Sequence, residues 1–364
     1  MRYVINKSFL EDNIHIVKKE TDAVPIIGVV KGDGYGLGIV PFAKTLIECG
    51  IRFLAVARIS EAEALRDAGI TEPILLLTPA FSLAEAVKAV ALGLTVTVDT
   101  TRGARLVDEV SAEHGVKTQA HIKIDTGLGR YGFLPGAEDE IAAMCRETKN
   151  LAFTGCYSHF HSSFSQSPAA INEQLEAFHT VVSRLEAAGV DCGMKHIANS
   201  SAALKYPKTR LDAVRIGSAF LGRLAIPNTY GLKKIGFMEC EISEIKDLPK
   251  NHNIGYGDVY RTKKPLRIAI APMGHIDGFG MEKSRDIYRF RDNLRFLMND
   301  LKAFIGDNRM FCVLNGKRVP LVSRVGLTNI VLDVTGIDCV EGDIAVFDVN
   351  PLLVDSGVER FYAD

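Results

Sequence analysis

The sequence contains no long apolar run, no excess of charge of one sign and no closely spaced cysteines. No window approaches the roughly 18 consecutive apolar residues of a membrane-spanning helix, and the N-terminus has no apolar stretch of signal-peptide length. The net charge is −1, from 43 basic and 44 acidic residues, so nothing indicates a nucleic-acid or anionic membrane surface. These absences predict a cytoplasmic protein whose partner is a small molecule.

The seven cysteines stand far apart in the chain. They are Cys49, Cys145, Cys156, Cys192, Cys240, Cys312 and Cys339. They lack the close pairs of a zinc site or of a small disulfide framework. We interpret them as reduced thiols in the core and predict no metal site.

The first two-thirds of the chain alternates short apolar runs with amphipathic segments. The runs cover residues 25–30, 53–57, 73–77, 95–98, 120–124, 153–158, 196–197 and 213–215. Such alternation favours parallel βα units, and about eight strands indicate an α/β fold with a (β/α)8 TIM-type barrel. A doubly wound open sheet is the alternative.

After about residue 228 the pattern changes to short strands between turns. These strands cover residues 237–242, 266–270, 318–322 and 330–334. We therefore predict a barrel domain over 1–228 and a smaller β-rich C-terminal domain over 229–364. A charged, helix-compatible insertion near 281–308 is interpreted as a solvated helix.

Residues 29–38 place a single lysine, Lys31, between an apolar run and a loop with four glycines. A desolvated lysine amine has a lowered pKa and forms Schiff bases, and glycines let the backbone approach a bulky ligand. From chemistry alone, a surface loop whose lysine merely ends a strand remains open as the alternative.

Four further polar clusters follow apolar runs. They are residues 121–132 with Arg130, 157–161 with His159, 195–203 with Asn199 and Ser200, and 214–222 with Arg215. Because the C-terminal ends of parallel barrel strands meet at one face, we expect these clusters to lie together. Asn199 and Ser200 suit either an anion site or an ordinary helix cap.

Together these segments resemble the alanine racemase family. Residues 29–38 are similar to the family's V-V-K-A-N/D-A-Y-G-H-G, 123–132 to K-V-D-T-G-M-G-R-L-G, 196–203 to H-x-A-N-S-A-A and 214–222 to V-R-P-G-I-A-L-Y-G. The resemblance implies a pyridoxal 5′-phosphate-dependent amino-acid racemase that acts through an aldimine on Lys31. It also implies a barrel followed by a β domain, in a homodimer whose active sites are shared between subunits.

The resemblance also assigns roles to individual residues. Lys31 serves as one of two bases, and Tyr35, Asn199, Ser200, Gly217 and Ser218 lie at the cofactor phosphate. His159 stacks on the pyridine ring or supports it by a hydrogen bond, and Arg215 faces the pyridine nitrogen. An arginine there keeps that nitrogen unprotonated, which suits racemisation. His161 has no matched role and is interpreted as structural.

Two basic residues are implied on the substrate side. Arg130 contacts the substrate carboxylate or the phenolic oxygen of the cofactor, where guanidinium geometry suits paired oxygen atoms. Lys123 stands at a position that is often carbamylated in the family. A plain strand lysine is the alternative at this position.

The clearest departure from the family is at His275. Residues 271–279 correspond to I-P-V-G-Y-A-D-G-Y, which carries the second base, so His275 stands where the family has tyrosine. An unperturbed imidazole titrates near pH 6.5 and a phenol near 10, so histidine can exchange protons at neutral pH. The alternative is that His275 is no base and two-base racemisation has been lost.

Other departures affect the substrate and phosphate regions. Leu327 and Thr328 replace a methionine and an aspartate that help to shape the carboxylate pocket, and the usual C-terminal phosphate tyrosine is missing. Two other functions therefore stay open: a pyridoxal-phosphate-dependent decarboxylase or aldolase-type lyase, and a non-catalytic cofactor-binding protein.

Overall fold

The computed structural model describes residues 1–164, 167–281, 290–305 and 309–364, apart from the side chains of 303–305. The chain begins with strand β1 (Arg2–Asn6). It forms two compact units. One is Lys7–Ile235, and the other combines Met1–Asn6 with Gly236–Asp364.

Eight parallel strands form the barrel of the first unit. They are β2 (Ile26–Val29), β3 (Phe53–Val56), β4 (Ile74–Leu76), β5 (Thr95–Val98), β6 (Thr118–Lys123), β7 (Leu151–Tyr157), β8 (Met194–His196) and β9 (Val214–Ile216). Neighbours pair in chain order from β2 to β8, β9 pairs with β2, and a single bridge between His196 and Ala213 joins β8 to β9. The predicted barrel is confirmed, and the open-sheet alternative was wrong.

Helices surround the strands of this unit. They are α1 (Lys7–Glu20), α2 (Ile39–Glu48), α3 (Ile59–Asp67), α4 (Leu83–Ala91), α5 (Thr101–Glu113), α6 (Glu138–Glu147), α7 (Ala169–Ala187) and α8 (Ser200–Lys205). In α5 the Thr100 side chain accepts the Gly103 N–H at the start, and Ala104, Val107 and Val110 are buried. That spacing puts one apolar face of the helix against the barrel.

The second unit is built mainly from antiparallel strands. They are β10 (Gly236–Glu241), β11 (Glu244–Leu248), β12 (Asn253–Ile254), β13 (Tyr260–Arg261), β14 (Leu266–Ala271), β15 (Phe311–Leu314), β16 (Lys317–Val322), β17 (Ile330–Asp333), β18 (Ile344–Phe347) and β19 (Arg360–Ala363). Nine strands form one sheet in the order β11-β14-β17-β16-β15-β18-β10-β1-β19, and β12 pairs with β13.

Strand β1 differs from the sequence prediction, which gave residues 1–6 to the barrel domain and ended that domain at 228. In the structure β1 runs antiparallel to β10 and parallel to β19, and the barrel unit extends to Ile235. Tyr3, Val4 and Ile5 are buried, so this strand needs partners on both edges. Both partner strands are more than 200 residues away in the chain, so the local sequence pattern around β1 could not predict the pairing.

A helix, α9 (Phe290–Ile305), lies within the segment predicted as a helical insertion. Residues 282–289 and 306–308, with Arg285, Asp286 and Arg289, lie outside the described residues. All seven cysteines are free thiols. In the described part of the chain no helix has both the length and the apolar character to cross a membrane.

Asn13 connects α1 to the segment that follows β9. Its fully buried amide Nδ2 donates to the Phe220 carbonyl (2.9 Å) and the Lys233 carbonyl (2.7 Å), and Oδ1 accepts the Lys233 N–H (2.8 Å). Phe220 belongs to the 3₁₀ turn Ser218–Leu221, which begins at a predicted site residue. Asn13 therefore supports one wall of the site.

We expect Asn13→Ala to lower the free energy of unfolding by about 2 to 4 kcal/mol, because one buried and two partly buried main-chain groups lose their partners. Urea denaturation followed by circular dichroism measures the change. His15→Ala, on an exposed position of the same helix, is the matched control. An Asn13→Ala midpoint equal to that of the control would contradict this account.

Candidate active site

The predicted site residues of the barrel unit line one cavity of about 600 Å³. They are Lys31, Tyr35, Lys123, Arg130, His159, Asn199, Ser200, Arg215, Gly217 and Ser218. They follow or end strands β2, β6, β7, β8 and β9, at the C-terminal face of the barrel. The structure therefore brings together all ten residues that the sequence pattern singled out in this unit.

Lys31 is followed by a turn of left-handed helix rather than a simple loop. Gly32, Asp33, Gly34 and Tyr35 have φ of 66°, 51°, 63° and 58°. The Gly34 N–H donates to the Val30 carbonyl (2.8 Å) and the Asp33 carboxylate accepts the Ile39 N–H (2.9 Å). Alternate glycines meet this requirement at no steric cost, whereas Asp33 and Tyr35 are held there against their preference.

The Lys31 amine lies in a positively charged environment. Burial lowers its pKa, the guanidinium groups of Arg130 and Arg215 lower it further, and the carboxylate of Glu61 opposes them. A lowered pKa means that more of the amine is neutral near pH 7. That is the state in which a lysine acts as a base or nucleophile.

Arg215 is buried beneath the cavity and donates only to neutral acceptors. Nη1 donates to the His196 carbonyl (3.0 Å) and to His196 Nδ1 (2.6 Å). Nη2 donates to the Ser158 carbonyl (2.6 Å), the Ile197 carbonyl (3.2 Å) and His159 Nδ1 (3.1 Å). Burial lowers its pKa to about 10, so it stays charged at neutral pH, and Nε makes no hydrogen bond to any residue described.

These bonds fix the tautomers of three histidines. Because a guanidinium only donates, His159 Nδ1 and His196 Nδ1 must accept. His196 Nε2 then carries the hydrogen and donates to His121 Nδ1 (2.9 Å). Burial and the Arg215 charge lower the pKa of His121 to about 4 and hold those of His159 and His196 well below their usual value. All three imidazoles are neutral at physiological pH.

Tyr157 contacts two buried basic side chains, those of Lys123 and Arg215. Its ring stacks on His196 at 4.8 Å, and the Lys123 Nζ and Arg215 Cζ atoms lie 4.4 and 5.0 Å from its centroid. Its hydroxyl bonds the Thr97 hydroxyl (2.7 Å), and burial raises its pKa to about 12. Burial and the neighbouring Arg215 and Arg130 lower the pKa of Lys123 to about 7, so about half of this amine is neutral at pH 7.

Arg130 is carried by a turn that Asp125 organises. The Asp125 carboxylate accepts the main-chain N–H groups of residues 127, 128, 129 and 130 at 2.8 to 3.1 Å. Burial opposes ionisation of Asp125, but these four bonds outweigh it and lower its pKa. The Arg130 guanidinium has no carboxylate partner in the described chain, so its charge is available to a ligand.

Hydroxyl and amide groups also line the cavity. Asn199 is the N-cap of α8 and its side chain accepts the Ala202 N–H (3.1 Å), so the helix-cap alternative describes its side chain. The Ser200 hydroxyl accepts the Gly217 N–H (3.2 Å). Burial raises the pKa of Tyr35 to about 12, and a Cβ at Gly217 would come within 2.6 Å of Tyr35 Cζ.

The remaining predicted residues lie on the second unit. His275 begins an exposed 3₁₀ turn, and its Nδ1 lies 3.0 Å from the Phe279 carbonyl. A carbonyl only accepts, so Nδ1 carries the hydrogen and Nε2 presents a lone pair that no described residue occupies. The Ile276 N–H donates to the Leu327 carbonyl (3.1 Å), so Leu327 and the exposed Thr328 adjoin this turn.

No group of metal-ligating side chains occurs among the described residues. His159 accepts from Arg215, and the Nδ1 of His161 lies 2.5 Å from the Ser162 hydroxyl at the mouth of the cavity. His159 and His161 therefore form hydrogen bonds to different residues.

Sequence reasoning missed the residues that support the site. They are Glu61, His121, Tyr157 and His196, together with the carboxylate of Asp125. A signal existed for two of them: Asp125 before a Gly-x-Gly turn indicates an Asx-type turn, and Glu61 stands third in a helix, where capping boxes place glutamate. His121 and His196 meet only because β6 and β8 flank the same strand.

The family model described as "Alanine racemase, N-terminal domain" matches residues 5–224, and that for the C-terminal domain matches residues 237–352. The chain belongs to the alanine racemase family. It is 34% identical to "Alanine racemase 2" of Caldanaerobacter subterraneus subsp. tengcongensis, over 95% of this chain and 84% of that protein. It is 33% identical to "Alanine racemase" of Methanococcus maripaludis, over 98% and 89% of the two chains.

Solved alanine racemases share the fold. The Clostridium difficile 630 enzyme has a TM-score of 0.87 and 26% identity, with 100% of this chain and 95% of that chain covered. The Bacillus anthracis enzyme with bound L-Ala-P has a TM-score of 0.83 and 25% identity, with 100% and 95% covered. Family membership confirms the predicted racemase class and the pyridoxal 5′-phosphate cofactor. Because these proteins are racemases, the lyase and non-catalytic alternatives are not favoured.

The cavity of this alanine racemase family member fits an anionic cofactor. It is lined by Lys31, Lys123, Arg130 and Arg215, and no aspartate or glutamate is among its described lining residues. The Nε–H of buried Arg215 is left for an acceptor in the cavity. A phosphate, a phenolic oxygen and a pyridine nitrogen are the acceptors that these donors suit.

We expect Gly217→Ala to weaken pyridoxal 5′-phosphate binding by roughly tenfold, because the new methyl group displaces the Tyr35 ring. Absorbance titration of the full-length protein with the cofactor measures this. Gly103→Ala in α5, whose Cβ would meet only the side chains of Thr100 and Asp99, is the matched control. Equal affinity of both variants would refute the packing argument.

Proposed function

We propose that this protein interconverts the enantiomers of alanine, with Lys31 and His275 as the two proton-transferring groups. The observation that carries the proposal is the position of Lys31, whose largely buried amine shares one cavity with Arg130, His159 and Arg215. The names of the relatives support alanine as the substrate.

Lys31 would hold pyridoxal 5′-phosphate through its amine. The hydroxyl groups of Tyr35 and Ser200 and the main-chain N–H groups near Gly217 and Ser218 would bind the phosphate, and His159 would lie against the ring. When bound, the cofactor supplies the electron withdrawal that makes the substrate Cα–H acidic. Arg215 stays charged and would face the ring nitrogen, where it would limit that withdrawal without giving up a proton.

Proton transfer would fall to groups that can be neutral at working pH. Lys31 takes or returns the Cα proton on one face because positive neighbours and burial keep part of its amine neutral. His275 would act on the other face through Nε2, since Nδ1–H is held by the Phe279 carbonyl. Arg130 would bind the substrate carboxylate, and Leu327 and Thr328 would border the same pocket.

We also propose a homodimer in which the His275 turn of one chain completes the barrel cavity of the other. Exposed apolar side chains support this: Phe81, Leu134 and Phe164 on the barrel unit, and Ile276 and Leu327 beside His275. Such side chains gain from burial at a partner surface. A cytoplasmic location is supported by the seven free thiols, which are typical of a reducing compartment.

Lys123 is proposed to be carbamylated. Its neutral amine adds to carbon dioxide, forming an N–C bond and releasing one proton, and the product carries a negative charge. That charge would lie between Arg215 and Arg130, the two cations that lower the pKa of Lys123. Carbamylation would thereby convert three mutually repelling cations into two cations with a shared counter-charge.

The racemase proposal is tested by incubating the cofactor-loaded protein with L- or D-alanine in D₂O. We expect inversion with deuterium at Cα from either enantiomer. In His275→Gln inversion should fall roughly 10²- to 10⁴-fold, while one enantiomer still exchanges its Cα proton. His252→Gln, an exposed histidine of the same unit, is the control. Unchanged inversion in His275→Gln would show that His275 is not the second base. If the native protein exchanged the Cα proton of neither enantiomer, the proposal of alanine racemisation would be wrong.

The carbamate is tested by ¹³C NMR with labelled bicarbonate. We expect one carbamate signal that Lys123→Met removes and that the exposed-site control Lys117→Met retains. Because only the neutral amine reacts and its pKa is about 7, the signal should decline as the pH falls below 7. A signal that survives in Lys123→Met would rule out this site.

A further inference from the structure

Glu61 makes an unusual set of hydrogen bonds. Oε2 accepts the N–H groups of Ala57 (2.8 Å) and Arg58 (3.0 Å), and Oε1 accepts that of Gly32 (2.6 Å). The Arg58 bond is part of the capping box that starts α3. The bond to Gly32 lies outside that motif and connects the first turn of α3 to the turn after β2.

The turn after β2 needs an external anchor. A left-handed conformation is unfavourable for a non-glycine residue, and Asp33 and Tyr35 both adopt it. Gly32 is the first residue of this turn and directly follows Lys31. A bond at its N–H therefore fixes the direction in which the chain leaves Lys31.

Glu61 also supplies a negative charge that favours the protonated form of the Lys31 amine. The groups that act on the Lys31 amine are the cations of Arg130 and Arg215, which disfavour its protonated form, and the carboxylate of Glu61, which favours it. Neutral His159 and the phenol of Tyr35 are the other titratable neighbours, and the pKa of that phenol is raised to about 12. A lysine that takes a proton during turnover must hold it against the repulsion of two guanidinium groups.

We propose that Glu61 is a positioning residue for Lys31: its bond to the Gly32 N–H holds the turn that carries the amine, and its carboxylate is the counter-charge of the protonated amine. The proposal deepens the proposed function, on which the catalytic role of Lys31 rests. In this proposal Glu61 acts on Lys31 in addition to capping α3.

The test is trace labelling of Lys31 with acetic anhydride as a function of pH, in the full-length chain freed of cofactor and read by mass spectrometry. Glu61→Gln removes the charge at constant volume, so the amine deprotonates more readily. At a fixed pH below the native midpoint, labelling should rise roughly three- to tenfold. Glu85→Gln is the matched control, because Glu85 accepts the Phe81 N–H (3.1 Å) at the start of α4 and does not act on Lys31.

A second variant separates the effect of the Glu61 hydrogen bond from the effect of its charge. It also provides a test if Glu61→Gln fails to fold. Glu61→Asp keeps the charge but shortens the reach, so labelling of Lys31 should stay near the native profile while amide hydrogen exchange at Gly32 becomes faster. Native-like labelling in Glu61→Gln, the same shift in Glu85→Gln, or unchanged exchange at Gly32 in Glu61→Asp would overturn the proposal.

Failure of the proposed function has a different signature. Borohydride reduction of the cofactor-loaded protein should attach the cofactor to Lys31. If it attaches elsewhere, Lys31 is not the cofactor lysine, whereas the labelling profiles still report whether Glu61 controls the amine.

Discussion

The site depends on a guanidinium that is buried without a carboxylate partner among the described residues. The Nη1 and Nη2 groups of Arg215 donate to three main-chain carbonyls and two imidazole nitrogens. A buried charge without a counter-ion is costly, and only acceptors that are themselves neutral can relieve that cost without cancelling the charge. The neutral tautomers of His159, His196 and His121 follow from this one constraint. The lowered pKa values of Lys31 and Lys123 share the same cause in part.

The carboxylates around the cavity are used by the backbone rather than by the cations. Asp33 accepts a main-chain N–H at the end of the Lys31 turn, Glu61 accepts three, and Asp125 accepts four. Each therefore shapes a loop, and none of them forms a salt bridge with Lys31, Arg130 or Arg215 among the described residues. A cavity built in this way attracts anionic ligands, because its positive charge is fixed in place before the ligand arrives.

The sequence predicted what depends on local pattern. The apolar run before Lys31 and the polar residues after β6 to β9 located the barrel strands and the cavity side chains, because strand ends in a barrel share one face. The left-handed turn could not be predicted from Asp33 and Tyr35, which rarely adopt it. Three features could not be predicted because each joins chain segments that meet only in the folded state. They are the pairing of strand β1, the His121–His196 contact and the Glu61–Gly32 bond.

His275 stands where the family pattern has a tyrosine. The local geometry favours the proposal that histidine serves as the second base over the alternative that this base has been lost. A Cβ at Gly280 would approach His275 Cε1 to 3.1 Å, and Gly280 has φ of 71°, so glycine leaves room for the imidazole. The Phe279 carbonyl fixes the tautomer. A histidine kept only for packing has no need of a fixed tautomer whose Nε2 bonds to no described residue, whereas a proton-transferring group does.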